Sequence, residues 1–403
     1  MSKPYVADVS PSVKWIGALD YDIVTFDVVM ETKYGTTYNS YFIDAEKKVI
    51  VDTVKERFWE EYLAKVRSVV NPEEIEYIVV NHTEPDHSGS LRHLLNIAPN
   101  AKVVGSGNAI RYLKDMIGSE FPHMVVKPGQ KLDLGNMSLG IIGAPNLHWP
   151  DTIYSYLEEE KILFSCDSFG CHFCHEALFD DKVGNFDDAF RYYFDVILKP
   201  FGKFMLKAIE RISEKEIDII CPGHGPILRS NWKKYVDLSE EWSREAMKYP
   251  DRHRVFIPYV SAYHKTGLLA EKIAEGIRMA GDIDVLVQDI ESTPLGELDE
   301  QVSRSSGIII GSPTINQNIL LPVYKLFAVI NPLRDKGKLA GAFGSYGWSG
   351  ENRQMIETNL SNLKLRIFRE GVFVKFTPNR EEEEVSIEWG KAFGEELLKS
   401  ADR

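Results

Sequence analysis

From residue 255 to the C-terminus the chain alternates without a break between short apolar runs and amphipathic stretches, and few folds accommodate that rhythm. VFIPYV precedes TGLLAEKIAEGIRMA, DVLVQ precedes LDEQVSRSS, GIIIG precedes VYKLFAVINPL, KLAGAFGS precedes ENRQMIETNL, and a run near 372–376 precedes a helix from about 383. Repeated strand–helix units predict a doubly wound parallel sheet, which binds ligands beyond the carboxyl ends of its strands. The rhythm sets in around Tyr249-Pro250-Asp251-Arg252-His253-Arg254, a short linker, so the sequence divides into domains 1–251 and 252–403. The acidic run at 381–384 reads as a charged helix start.

The first domain is patterned differently. VKWIGALDY, DIVTFDVVM, TTYNSYFID and KVIVDT read as a β-meander, followed by the helix KERFWEEYLAKVRSVV and then by mixed strand and helix runs to about 165. Antiparallel strands first and mixed units later predict two stacked sheets with helices outside. Sixty acidic against 47 basic residues leave a net charge of −13, which weighs against nucleic acid or an anionic membrane as partner. No run approaches the ~18 apolar residues of a membrane span, and MSKPYVADVSPSVKWIG lacks a signal-peptide core, so a cytoplasmic location is expected. Cys166, Cys171, Cys174 and Cys221 are then expected as reduced thiols.

EYIVVN leads directly into His82-Thr83-Glu84-Pro85-Asp86-His87, two imidazoles and two carboxylates in six residues. Because Pro85 interrupts the run, it is expected to be a loop at a strand end whose alternating residues face two adjacent points. His148 in LHWPDT, Asp167 after ILFSC and His224 in CPGHG each follow a short apolar segment as well. Any one of these histidines could merely cap a turn. Together the seven read as a dinuclear metal site. Cys171-His172-Phe173-Cys174-His175 matches the C-x-x-C-H haem pattern, but haem attachment needs an exported chain. A structural zinc or redox dithiol is the second alternative; partly buried free thiols beside the metal loop are the expectation.

In the second domain VFIPYV ends in Ser261-Ala262-Tyr263-His264-Lys265-Thr266-Gly267, and hydroxyls and N–H groups converging at a helix N-terminus make an anion site sized for one phosphate. The spacing of a P-loop is missing, and Gly105-Ser106-Gly107, with Ile110 in place of a third glycine, reads as a structural turn. Two later strands end in Ser312-Pro313-Thr314-Ile315-Asn316-Gln317-Asn318 and Ser345-Tyr346-Gly347-Trp348-Ser349-Gly350. Aromatic rings and exposed backbone there suit a flat isoalloxazine. The three loops look like those of flavodoxins and predict an FMN site; Lys265 replaces the usual hydroxyl residue beside the phosphate.

HTEPDH, LHWPDT, the Cys166-Asp167 strand end, PGHG and Gly35-Thr36-Thr37-Tyr38-Asn39 resemble the metallo-β-lactamase-like domain of flavodiiron proteins, the A-type flavoproteins. With the flavodoxin-like half the resemblance spans nearly the whole chain. It implies an N-terminal metallo-β-lactamase-like αββα sandwich, a C-terminal flavodoxin-like domain, FMN and two iron ions. It also implies that His82, Glu84 and His148 hold one metal, that Asp86, His87 and His224 hold the other, and that Asp167 bridges them. His172 would act from behind the ligands, with Phe169 and Gly170 matching the family and Cys171 departing from it; Tyr193 matches a tyrosine placed over the site. Hydrolytic relatives usually carry His in place of Glu84 and hold zinc, whereas a third carboxylate favours iron or manganese.

The implied reaction is reduction of dioxygen to water or of nitric oxide to nitrous oxide. Two ferrous ions and a reduced flavin together supply the four electrons that dioxygen needs. The donor is expected to be external, rubredoxin or a reduced deazaflavin, and the working unit a head-to-tail homodimer or homotetramer. A zinc hydrolase with an appended flavodoxin-like module, and an electron carrier with a vestigial metal domain, are the competing readings.

Overall fold

The computed structural model describes residues 4–26, 30–248 and 251–401. The chain forms two units, Met1–Arg244 and Glu245–Arg403. The boundary expected between 251 and 252 falls inside Asp251–Tyr259, the first strand of the second unit. Residues 249 and 250 of the expected linker lie outside the described residues, as do 27–29 of the expected strand DIVTFDVVM. No described helix is long and apolar enough to cross a membrane.

In the first unit two sheets stack. The larger runs Ala7–Asp8, Val13–Trp15, Tyr41–Ile43, Lys48–Val51, Ile75–Val79, Lys102–Gly105, His123–Val125; the smaller runs Lys131–Asp133, Ser138–Gly143, Ile153–Leu157, Ile162–Cys166, Ile219–Pro222. The central strands, such as Ile153–Leu157 and Ile162–Cys166, are buried on both faces because each face is covered, whereas the edge strand His123–Val125 is exposed. Val49, Val51, Tyr77 and Val79 pack with Leu139, Ile141, Ile153 and Phe164 of the other sheet. The alternating residues Ile50, Ile78 and Val103 turn outward into a second core with Leu94, Ile110 and Leu113 of the covering helices. Each such side chain contributes about 1.5–3 kcal/mol by leaving water. Helices Trp59–Val69, Leu91–Ile97 and Gly107–Ile117, and later Asp187–Tyr193, Gly202–Ile212 and Trp232–Ala246, supply the outer layers of this αββα sandwich.

The expected meander is corrected in two places. VKWIGALDY divides into Val13–Trp15 and Ala18–Asp20, and TTYNSYFID into Thr36–Tyr38 and Tyr41–Ile43, so that Ala18–Asp20 pairs with Thr36–Tyr38 in a small separate sheet. Gly17 permits the break: a Cβ there would stand 2.3 Å from the Tyr38 carbonyl oxygen. The run after EYIVVN is likewise not all loop, because Pro85–Ser88 is a single helical turn with Pro85 at its first position, where the missing N–H costs nothing.

The second unit is a parallel sheet in the order Asp284–Asp289, Asp251–Tyr259, Ser305–Gly311, Leu339–Tyr346, with Arg366–Ile367 and Val372–Lys375 both pairing with Leu339–Tyr346. The expected helix LDEQVSRSS stops at Arg304, and Ser305 already belongs to the next strand. VYKLFAVINPL breaks before Pro332, which cannot continue a helix. The last helix starts at Arg380, ahead of the expected position, because Asn379 and Glu382 exchange side-chain-to-backbone hydrogen bonds of 3.0 and 2.8 Å, a capping box.

Asp335 anchors one end of this sheet. Its carboxylate is fully buried, accepts from the Asn331 N–H at 2.9 Å, and pairs with Arg334 and Lys338 at 2.8 Å each. Burial opposes ionisation, yet the Arg334 and Lys338 charges outweigh it and hold the carboxyl below its usual range. Asp335→Ala removes the carboxylate paired with largely buried Lys338 and one of the two paired with Arg334, which keeps Asp299 at 2.7 Å, and we expect it to cost the second unit about 3 kcal/mol. Urea denaturation followed by flavin release would show the lowered midpoint.

Candidate metal centre and flavin cradle

Asn81 joins the two sheets of the first unit at the end where the ligand candidates gather. Its carbonyl oxygen accepts from the Ile153 N–H at 2.9 Å, its side-chain oxygen from Ser155 Oγ at 3.0 Å, and its own N–H donates to Asp52 Oδ1 at 2.7 Å. Burial pushes the Asp52 carboxyl up to about 6. The next residue is His82, so the hinge between sheets fixes where the ligand run begins. His148 follows Ser138–Gly143, Asp167 follows Ile162–Cys166, and His224 follows Ile219–Pro222.

All seven candidates converge. Ligand atoms of His82, Glu84, His148 and Asp167 lie within 4.8 Å of one another, and those of Asp86, His87 and His224 form a second such group. Asp167 stands between the two. Its Oδ2 is 3.4 Å from His82 Nε2 and 3.6 Å from His148 Nε2, while its Oδ1 is 2.9 Å from His87 Nε2 and 3.6 Å from His224 Nε2. Glu84 Oε2 lies 2.8 Å from His148 Nε2, and Asp86 Oδ2 3.0 Å from His224 Nε2. Burial opposes ionisation of Glu84 and Asp167, but the surrounding histidines, His148 for the first and His87 for the second, hold both carboxyls below their usual range.

Both oxygens of Asp86 and Oδ2 of Asp167 are buried without a hydrogen-bond partner. Buried carboxylate oxygens left without a hydrogen-bond donor are costly unless a cation meets them, so this donor set fits two metal ions. The far ring nitrogens are anchored: His82 Nδ1 lies 3.3 Å from Asp151 Oδ2, and His224 Nδ1 donates to the Thr37 carbonyl at 2.6 Å. Asp151 is held in turn by the Thr83 N–H and hydroxyl at 2.8 and 2.9 Å. Such contacts fix the tautomer that leaves Nε2 free for metal. Asp52 and Asn81 were not singled out in the sequence; Thr37, inside Gly35-Thr36-Thr37-Tyr38-Asn39, and Asp151, inside LHWPDT, lay within motifs of the resemblance without a role of their own.

His172 is buried, with Nδ1 2.9 Å from Thr36 Oγ1 and Nε2 without a partner. Its ring centroid is 5.2 Å from that of His224, 4.8 Å from that of Tyr193 and 4.3 Å from that of Phe26. Burial, then the nearby His224, pushes the imidazole well below its usual value, so it is neutral. Burial and the charges of Asp167 and Asp86 push the Tyr193 phenol upward. All four cysteines are buried free thiols. Cys166 lies within reach of His87 and Asp167, and burial raises its thiol far above the usual value. Ser106 caps the helix Gly107–Ile117 by accepting from the Ala109 N–H at 3.1 Å, the structural turn expected.

In the second unit the three expected loops follow the adjacent parallel strands Asp251–Tyr259, Ser305–Gly311 and Leu339–Tyr346. The reversal of strand order falls between the first two, where such sheets open a crevice. Ser261 Oγ accepts from the Gly267 N–H at 3.2 Å, and His264 takes a left-handed conformation (φ 62°) just before the helix Lys265–Ala280. Ala262, Tyr263 and His264 are exposed, whereas Thr266 is buried with Oγ1 3.0 Å from Ser345 Oγ. In the second loop Pro313 is buried and Asn316 and Gln317 form a tight turn at φ 53° and 57°, closed by reciprocal Ile315–Asn318 backbone bonds of 3.0 Å. Asn352 ties this loop to the third, donating to the carbonyls of Ser312 at 2.8 Å and Ser345 at 3.3 Å. Nothing in its sequence context had marked it. The third loop runs from buried Ser345 through half-exposed Tyr346, Gly347 and Ser349 to exposed Trp348 and Gly350.

Residues 36–225 match the family model described as ODP family beta lactamase, and residues 257–390 match the flavodoxin model. The flavo-diiron protein FprA2 of Clostridium acetobutylicum is 37% identical over 394 residues, covering 95% of this chain and 97% of its own. A type A flavoprotein of Rhodobacter capsulatus is 38% identical over 395 residues, covering 96% and 90%. Among solved structures, the rubredoxin oxygen:oxidoreductase of Desulfovibrio gigas superposes with a TM-score of 0.73 at 29% identity over 98% of this chain and 99% of that one. The flavodiiron protein of Giardia intestinalis gives 0.69 at 29% over 99% and 98%. Two converging ligand groups on an αββα sandwich, a flavodoxin sheet behind them in sequence, and relatives matched from end to end leave one assignment: the chain belongs to the flavodiiron, or type A flavoprotein, family of oxidoreductases, whose cofactors are FMN and a di-iron centre.

Proposed function

We propose that this protein reduces dioxygen to water, nitric oxide to nitrous oxide, or both, with electrons entering at FMN from an external donor. The observation that carries this reading is the position of Asp167 between the two ligand groups, together with a further carboxylate in each group, Glu84 in one and Asp86 in the other, beside four histidines. His82, Glu84 and His148 are the proposed ligands of one iron, Asp86, His87 and His224 those of the other, with Asp167 serving both. When bound, the two irons and the flavin supply the binding site for the gas and the electrons it takes up.

The chain itself does the rest. Three carboxylates lower the net charge of two divalent cations to about one, which favours hard metals and tolerates oxidation. The hydrogen bonds behind His82 and His224 keep Nε2 directed inward. His172 is neutral; where Thr36 donates to the Thr37 carbonyl at 3.3 Å, His172 Nδ1 donates to Thr36 Oγ1 and its Nε2 remains a proton acceptor at the edge of the pocket. Tyr193, whose ring centroid is 4.8 Å from that of His172, keeps its phenol protonated because burial pushes it upward. In the flavin cradle, Ser261, Ala262, Tyr263, His264, Lys265 and Thr266 are the proposed phosphate contacts. Pro313, Thr314, Ile315, Asn316 and Asn318, and residues 345–350, are proposed to flank the ring.

Metal analysis with an absorption spectrum tests the class: iron and a flavin band support it, and zinc without reductase turnover supports the hydrolase instead. Anaerobic stopped-flow with each gas sets the oxygen to nitric oxide preference. Glu84→His should raise the zinc to iron ratio and lower reductase activity, because it exchanges a hard anionic donor for an imidazole; an unchanged ratio by metal analysis would count against Glu84 as a ligand.

A cytoplasmic location and a rubredoxin-type donor, with a reduced deazaflavin as the second candidate, belong to the same proposal. The D. gigas relative is named for its rubredoxin donor. The proposed working unit is a head-to-tail homodimer or a homotetramer. Only residues 247–250 separate the helix Trp232–Ala246 from the strand Asp251–Tyr259. So short a connection limits folding of one unit over the other, while a two-fold partner can bring its flavin to the opposite metal site. A heterodimer of one subunit without metal ligands and one without flavin should recover oxygen consumption; a verified heterodimer that stays inactive would refute transfer between subunits.

A further inference from the structure

The flavin cradle has a neighbour outside its three loops. Val372–Lys375, the last strand, ends in Phe376, which is 60% exposed and holds φ at 60°. That combination is doubly unfavourable, since a bulky aromatic residue is strained in the left-handed region and an exposed phenyl ring gains little from burial. What holds Phe376 there is the third flavin loop. Its N–H donates to the Tyr346 carbonyl at 2.7 Å, and its ring lies against Gly347 so closely that a Cβ on Gly347 would stand 3.2 Å from Phe376 Cε1. Three residues further along the same loop, Gly350 lies against the Tyr346 ring, its Cβ position 3.4 Å from Tyr346 Cγ. Phe376 thus meets the loop at the Tyr346 carbonyl and at Gly347, Gly350 packs on the Tyr346 ring, and Trp348, 88% exposed, lies in sequence between these two glycines.

We propose that Phe376 is a positioning residue for the flavin: its backbone and ring set the height and tilt of the loop Tyr346–Gly350, and through that loop the packing against the isoalloxazine. The N–H of Phe376 completes the parallel ladder in which Lys375 pairs with Tyr346, and the strain at Phe376 is then retained because the left-handed φ turns its ring toward Gly347. A residue kept only for the fold would be better as glycine, which adopts this φ freely. This inference rests on the FMN reading of the three loops.

The test uses the full-length protein stripped of flavin and titrated with FMN. Phe376→Gly relieves the backbone and removes the ring; Phe376→Ala removes the ring alone; Phe376→Tyr keeps it. We expect the Gly and Ala variants to bind FMN about tenfold more weakly, a change of about 1.4 kcal/mol, and to shift the flavin midpoint potential, with Tyr restoring both and iron content unchanged in all three. Should the Ala variant fold poorly, the Gly variant decides. A Gly variant with FMN affinity within about twofold of wild type and an unshifted potential would overturn the proposal while leaving the cradle intact, whereas wild-type protein that takes up no FMN would overturn the cradle and the proposal together.

Discussion

Asp167→Ala should empty both metal positions, not one. Its two oxygens reach separate groups of histidines, so on the proposed assignment the substitution removes one ligand from each ion. Loss of a mere supporting contact typically weakens metal binding 10–100-fold; loss of a directly shared carboxylate is expected to exceed that for both ions. Metal analysis after dialysis should give iron falling from two per chain toward none, with FMN retained. Iron content equal to wild type would refute the bridging role. Glu84→Ala, by contrast, should deplete one position, which separates a bridging from a terminal carboxylate.

Ser261→Asp should expel FMN while leaving the apoprotein as stable as before. A carboxylate placed ~5 Å from a phosphate at an effective dielectric of about 20 adds ~3 kcal/mol of repulsion, two orders of magnitude in affinity. The same charge is favourable toward the N-terminus of the helix Lys265–Ala280 by about 0.3–1 kcal/mol. The two effects therefore run in opposite directions, and a general loss of folding cannot imitate them. Thr266 is a poorer position for this test because it is buried against Ser345, where a new carboxylate would disturb the loop itself. Fluorescence titration of the apoprotein with FMN, alongside its thermal midpoint, measures both. FMN affinity equal to wild type would remove this loop from the phosphate site.

What the sequence determined by itself was local or periodic. Short apolar runs alternating with stretches of helical spacing identified the strands and helices of the second unit, because a parallel sheet covered on both faces writes continuous apolar runs such as GIIIG. The cluster of donors in HTEPDH was legible because its chemistry is contiguous, and His148, Asp167 and His224 were marked because each follows a short apolar run. Tertiary structure decided the rest. That VKWIGALDY splits between two sheets depends on Gly17 meeting the Tyr38 carbonyl, a contact between residues far apart in sequence. The roles of Asn81, Asp52 and Asp151 exist only because two sheets close on one another, and no spacing along the chain encodes that closure. Asn352 and Phe376 are likewise ordinary residues until loops after different strands are brought side by side. Sequence carries the donors, since their chemistry belongs to each residue alone; their orientation is set by hydrogen bonds that form across the fold, and only the fold reveals them.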